Sequence, residues 1–128
     1  MNKNPKNFFN NNAKEYKNKY NSNNIFHKYF FQSRLDIITK NLTSPLCDIL
    51  DIGSGTGNYY DYFILKNINF DNFYGTDISS NMLDISNIKS NNKYCGNVWE
   101  SNFDYKSLDL ILMIGVSSYM NKKIFKKN

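Results

Sequence analysis

An α/β fold built on a doubly wound parallel sheet is what this sequence predicts, and three observations carry that reading. Short apolar runs alternate with stretches of helical periodicity along the chain. The run Ile49 to Ile52 opens directly into three alternate glycines, Gly53, Gly55 and Gly57. A later run, Phe73 to Thr76, ends in an acid, Asp77, twenty residues past Gly57. Glycine carries no Cβ, so a ligand can come close to the main chain, and a helix following such a turn offers unpaired N–H groups. Parallel strands open their carboxyl ends on one crevice, which places Asp77 where a carboxylate can accept from both hydroxyls of a nucleoside.

The elements follow in order. Ten of the first 24 residues are asparagine, which predicts a partly flexible N-terminal segment, with one short helix over Ala13 to Tyr20. From Asn24 to Leu42, apolar residues at 25, 26, 29, 30, 35, 38 and 42 predict a helix packed on the sheet and stopped at Ser44-Pro45. Leu46 to Ile52 reads as the first strand and Asn58 to Lys66 as the next helix; Asn72 to Thr76 reads as the second strand. Ser79 or Ser80 would cap a helix whose apolar face is Met82, Leu83, Ile85 and Ile88. Lys93 to Cys95 is a short third strand. Leu108 to Ile114, the most apolar run, suits a central strand buried on both faces.

At 128 residues the chain has room for one domain, read as residues 25–121 between the N-terminal segment 1–24 and a basic tail 122–128. The net charge of +5 raises the question of nucleic acid, yet residues 25–121 hold seven Lys and Arg against ten acids. The basicity therefore sits in solvated lysine ends, and no nucleic-acid partner is expected. No run of eighteen apolar residues and no signal-peptide core occurs, so the expectation is a cytoplasmic protein without a membrane partner. Cys47 and Cys95 lack the spacing of a zinc site and read as small buried hydrophobes; His27 reads as a surface or packing residue, and no metal site is expected.

The glycine spacing decides between nucleotide folds. A dinucleotide fingerprint needs its third glycine at position 58, where Asn58 stands, which disfavours a nicotinamide oxidoreductase. The pattern from Asp51 to Gly57 instead resembles motif I of the class I S-adenosylmethionine (SAM) methyltransferases, and Gly75 to Leu83 resembles motif II. The resemblance covers roughly residues 46 to 120. It implies a Rossmann-like sheet in the order 3-2-1-4 with helices on both faces, the N-terminal half of that fold, and SAM as cofactor. By the same resemblance Gly53 and Gly55, with Ser54 between them, would line the methionine moiety, and Asp51 would anchor the loop near the amino group. Asp77 would bind the ribose and Ile78 would pack on the adenine. Asn97 and Val98 stand where relatives usually place an acid and an apolar residue against the adenine edge; an asparagine carbonyl can accept there as well. Gly115 would leave room near the sulfonium. Arg34 sits where some relatives keep a basic residue near the cofactor carboxylate, and a helix-surface arginine fits it equally.

The activity implied is methyl transfer to a small-molecule acceptor, with no catalytic base assigned. Ile114 to Met120 lacks the [DN]-P-P-[YF] signature that orients a planar amino nitrogen, so adenine and glutamine are disfavoured as acceptors. Ser118 or Tyr119 could touch a substrate, against simpler readings as a capping serine and a core tyrosine. The family's sheet normally continues for three more strands, and the sequence reads as truncated after the fourth. That leaves two readings, a methyltransferase or its cofactor-binding half, and an inactive SAM-binding remnant or interaction protein. In either, the strand-four edge beside Leu110 and Leu112 would be exposed, calling for a homodimer or a partner chain to cover it.

Overall fold

The computed structural model describes residues 4–42, 45–116 and 119. Within them the order is α1 (Pro5–Tyr20), α2 (Ile25–Lys40), β1 (Asp48–Ile52), α3 (Asn58–Leu65), β2 (Asn72–Asp77), α4 (Ser80–Ile85), β3 (Lys93–Cys95) and β4 (Leu110–Met113). The strands form one parallel sheet in the order β3-β2-β1-β4, the order expected. Register puts Leu50 beside Tyr74 on one side and Ile111 on the other, and Asp51 beside Gly75 and Leu112.

One face of this sheet is closed by α-helices. Ile49, Phe73 and Leu112 project into a cluster with Leu35 of α2 and Tyr59, Tyr62 and Phe63 of α3. Phe63 and Phe73 meet edge to face at 5.9 Å, a geometry that lets the ring quadrupoles attract. The chain steps from β1 to β2 to β3 in one direction and then returns past β1 to β4, so right-handed crossovers place the return on the opposite face. Helical cover there is reduced to two three-residue 3-10 turns, Val98–Glu100 and Tyr105–Ser107. The segment's Gly96, Asn97, Ser101, Asn102, Asp104 and Ser107 explain this, because such residues favour turns over helix interiors. Phe103 packs on Tyr74 at 5.3 Å, but Ile111 and Met113 stay 48 % and 43 % exposed. β4 is thus an outer strand buried on one face, not the central strand its composition suggests. The exposed side chains are Ile111 and Met113, since Leu112 turns into the core.

Three further expectations change. The asparagine-rich segment forms a full helix, α1, started by Asn4, whose side chain accepts from the Lys6 N–H, with Pro5 in the first turn. Phe9, Ala13, Tyr16 and Tyr20 recur at helical spacing along it, and Tyr20 stacks on Phe31 of α2 at 4.0 Å. Helix α2 meets the core through Leu35 and Ile38 only; Ile25, Phe26 and Tyr29 in its first turns are mostly exposed. Cys47 and Cys95 are exposed rather than buried. Cys47 precedes β1, where its N–H is taken by the Asp109 carboxylate, and Cys95 ends β3, the other outer strand. Ser79 does cap α4, accepting from the Met82 N–H. Among the described residues no helix is long and apolar enough to cross a membrane. Ser44, Ser117, Ser118, Met120 and the basic tail lie outside the described residues.

Candidate cofactor cleft

At the carboxyl ends of β1, β2 and β4 lies a cleft of about 480 Å³. Its floor begins with the turn after β1. The Gly53 and Ser54 N–H groups both donate to the Thr76 carbonyl, at 2.8 and 2.9 Å, which binds the turn to the end of β2. The Gly55 N–H donates to Asp77 Oδ2 at 2.9 Å, and the Ser79 N–H donates to Oδ1 at 2.8 Å. Asp77 therefore fastens the glycine turn and the start of α4 while lining the cleft. Each carboxylate oxygen keeps a further lone pair for a ligand hydroxyl.

Burial pushes the Asp77 carboxyl above its ordinary range, and the N–H groups of Ser79, Gly55 and Ile78 pull it back. Asp51 lies beneath the turn, 1 % exposed, and among the described residues neither its Oδ2 nor Ser54 Oγ has a hydrogen-bond partner. Burial, then the nearby Asp77 charge, hold its carboxyl well above the usual carboxylate range. Ser54 is buried too, its Oγ 2.7 Å from the point a Cβ on Gly75 would occupy.

Two glycines shape the space itself. Gly55 and Gly115 sit at φ +54° and +73°, which side chains rarely adopt, and among the described residues a Cβ on either would meet no atom within 4 Å. The turn and the end of β4 therefore present bare backbone beside open volume. Gly53 is small for a different reason, because a Cβ there would come within 2.2 Å of Val116.

Seven of the nine residues expected to hold the cofactor line this cleft together: Gly53, Gly55, Asp77, Ile78, Asn97, Val98 and Gly115. Asp51 and Ser54 support it from below. The Asn97 amide donates to Glu100 Oε1 at 3.2 Å, an orientation that leaves its carbonyl oxygen as an acceptor. Arg34 is not in the lining; its guanidinium lies 4.2 Å above the Phe30 ring. His27 is on the surface, 6.5 Å from Phe31. Phe9 and Tyr16 of α1, Met82 of α4 and Trp99 also line the cleft, beyond the residues the sequence pointed to. The helical spacing of Phe9 and Tyr16 was the available signal for the first pair. Tyr119 lines the cleft and is 55 % exposed, so it is not a core tyrosine.

A family model described as a methyltransferase domain matches residues 50–126. The chain belongs to that methyltransferase domain family. The family's methyl donor is S-adenosylmethionine, and the cleft fits such a group: bare backbone at Gly55 and Gly115, a carboxylate with spare lone pairs, and apolar walls from Ile78, Met82 and Val98. No curated protein matches the sequence. Solved structures similar to this methyltransferase domain include the plantazolicin methyltransferase BpumL in complex with a pentazolic desmethylPZN analog and SAH. That match has 26 % identity and a TM-score of 0.49 over 80 % of this chain and 41 % of the other. The same enzyme in complex with SAH matches at 26 % identity and a TM-score of 0.45, over 79 % and 40 % of the two chains. The chain spans about two fifths of the length of those structures.

Proposed function

We propose that this chain binds S-adenosylmethionine in the cleft and directs its methyl group to a small-molecule acceptor. The observation that carries the reading is Asp77, which ties Gly55 to the start of α4 and still faces the cleft. Gly53 and Gly55 would take the methionine part along bare backbone, with Asp51 and Ser54 fixing the turn beneath them. Asp77 would accept from the ribose hydroxyls. Ile78 and Val98 would hold the adenine between apolar surfaces, and the Asn97 carbonyl would accept from its exocyclic amine. Gly115 leaves the end of β4 open, where the reacting carbon needs room.

The cofactor supplies a methyl group on a positively charged sulfur, already a good leaving group. What remains for the protein is alignment and the exclusion of water. Helix α1 serves the second need by roofing the cleft with Phe9 and Tyr16. Outside the cleft, the edge of β4 with exposed Ile111 and Met113 would be covered by a second copy or a partner chain.

Calorimetric titration of the purified chain with S-adenosylmethionine and S-adenosylhomocysteine tests the reading. Binding of both near one equivalent is expected. If neither binds, the cleft is not a SAM site.

A further inference from the structure

The roof of the cleft is aromatic, and its rings are held in place. Phe9 of α1 meets Tyr119, beyond β4, edge to face at 5.4 Å, and meets Tyr16 at 6.2 Å in the same manner. Two sets of polar contacts fix the helix that carries them. Toward its start, the Ser79 hydroxyl donates to Asn10 Oδ1 at 2.6 Å and the Asn81 amide donates to the Asn10 carbonyl at 3.1 Å. Toward its end, the Lys17 ammonium donates to the Thr56 carbonyl at 2.9 Å and to Asp61 at 2.6 Å. The Lys17 charge is thereby engaged by the glycine turn and α3. Among the described residues no lysine or arginine lines the cleft, whereas Asp77 does.

We propose that the acceptor is an amine borne on an apolar or aromatic body, received among Phe9, Tyr16 and Tyr119 beside Gly115. This rests on the SAM reading above and adds the chemistry of the acceptor. Ring faces carry negative charge density, so a wall of rings in a cleft that no described lysine or arginine lines favours cations over carboxylate or phosphate acceptors. The bound ammonium first gives one proton to solvent, and in the displacement the freed nitrogen lone pair forms the new bond to the methyl carbon. The carbon–sulfur bond breaks with its electrons left on sulfur, and the positive charge passes from sulfur to nitrogen. The product leaves as an N-methylammonium ion that carries this charge. One positive charge is present throughout the transfer, and a cation-favouring wall stabilises the transition state as well as the reactants. With an anionic acceptor the charge would be cancelled as the bond forms, and the same wall would favour the reactants over the transition state.

Three probes with the same phenylethyl body test this on the whole chain saturated with S-adenosylhomocysteine: phenethylamine, 2-phenylethanol and 3-phenylpropionate. Calorimetry should show phenethylamine binding about fivefold more tightly than the alcohol, the scale of a cation held by aromatic faces, with the acid weakest. In Phe9→Leu and Tyr119→Leu the amine-to-alcohol ratio should fall toward one, a ratio that a general loss of folding or cofactor affinity does not change. Equal binding of amine and alcohol by the native chain overturns the inference while leaving the SAM reading in place, as does a ratio that survives loss of both rings. Failure of S-adenosylhomocysteine to bind overturns both.

Discussion

The two faces of the sheet are built to different standards. On one, Ile49, Phe63 and Phe73 are at most 2 % exposed among side chains from α2, α3, β1 and β2. On the other, Leu50 is buried at the middle of the sheet, but a turn-rich segment touches the sheet at Tyr74, and Ile111 and Met113 toward the edge stay near half exposed. The difference shows which part of the molecule holds the site. The glycine turn and Asp77 hang from β1 and β2, whose packing is dense, while Gly115 and Tyr119 follow β4, whose packing is one-sided. On the proposed reading, the ribose contact of Asp77 rests on the densely packed part, while Gly115 and Tyr119 rest on the part packed on one side.

The largest test of this asymmetry is truncation on each face. Phe63→Ala should cost about 3–5 kcal/mol, the usual penalty for emptying a fully packed aromatic site. Met113→Ala should cost less than about 1 kcal/mol, because the side chain removed is already partly in water. Urea unfolding of the two variants measures both. Equal losses would mean that the β4 face is closed by something as well packed as α3.

Next in size is the proposed cofactor contact on the densely packed side. Asp77→Ala should weaken S-adenosylhomocysteine binding by roughly 1.5–3 kcal/mol, the scale of hydrogen bonds to a charged group. The variant should also melt lower, since the Gly55 and Ser79 N–H groups lose their acceptor. Unchanged affinity in calorimetry would remove Asp77 from the ligand contacts and leave it a brace for the turn.

How much of this was legible in the sequence follows the same division. The strand positions, the glycine turn and Asp77 are local: a hydrophobic run, a spacing of glycines and an acid at a strand end can be read within a few residues, while the strand order followed from the family resemblance those motifs carry. Helix α1 was harder, because asparagine lowers the apparent apolarity of a segment whose Phe9, Ala13, Tyr16 and Tyr20 nevertheless share one face. Composition predicted flexibility; periodicity, read over a longer window, described the helix better. The burial of β4 was misread for a third reason. Leu110 to Met113 is apolar on both faces, and nothing within the run says whether a neighbouring element covers the second one. Trp99 carried no signal of its own, since a tryptophan directly after the expected contacts Asn97 and Val98 fits a surface turn equally well.

Asp51 gives a test that depends on pH. Its folded carboxyl is held well above the usual range by burial and then by Asp77, so folding is favoured while the group is protonated. That contribution is complete below the unfolded-state value near 3.8 and is lost as pH rises toward the folded value. Asp51→Asn keeps the shape without the charge. It should therefore melt above the native chain at pH 8, with the gain shrinking steadily as the pH is lowered to 4. A gain that grew toward low pH would show that the charged form of Asp51 is the one the fold prefers.

The smallest effect is expected where α1 is fastened to the glycine turn. Lys17 bonds to Asp61 with its side chain 18 % exposed and that of Asp61 33 % exposed, and a pair so near the surface is worth about 1 kcal/mol or less. Lys17→Met retains the aliphatic stem and removes only the charge and its donors. Global stability should fall by no more than that amount, with the loss reduced in high salt as the native pair is screened. Hydrogen exchange should nevertheless quicken along α1 well before it does in β1 or β2, because Asn10 alone would then hold the helix over the cleft through polar contacts. Equal protection of α1 in both chains would show that Phe9, Ala13, Tyr16 and Tyr20 fix the roof by packing, with Lys17 contributing little to its closure.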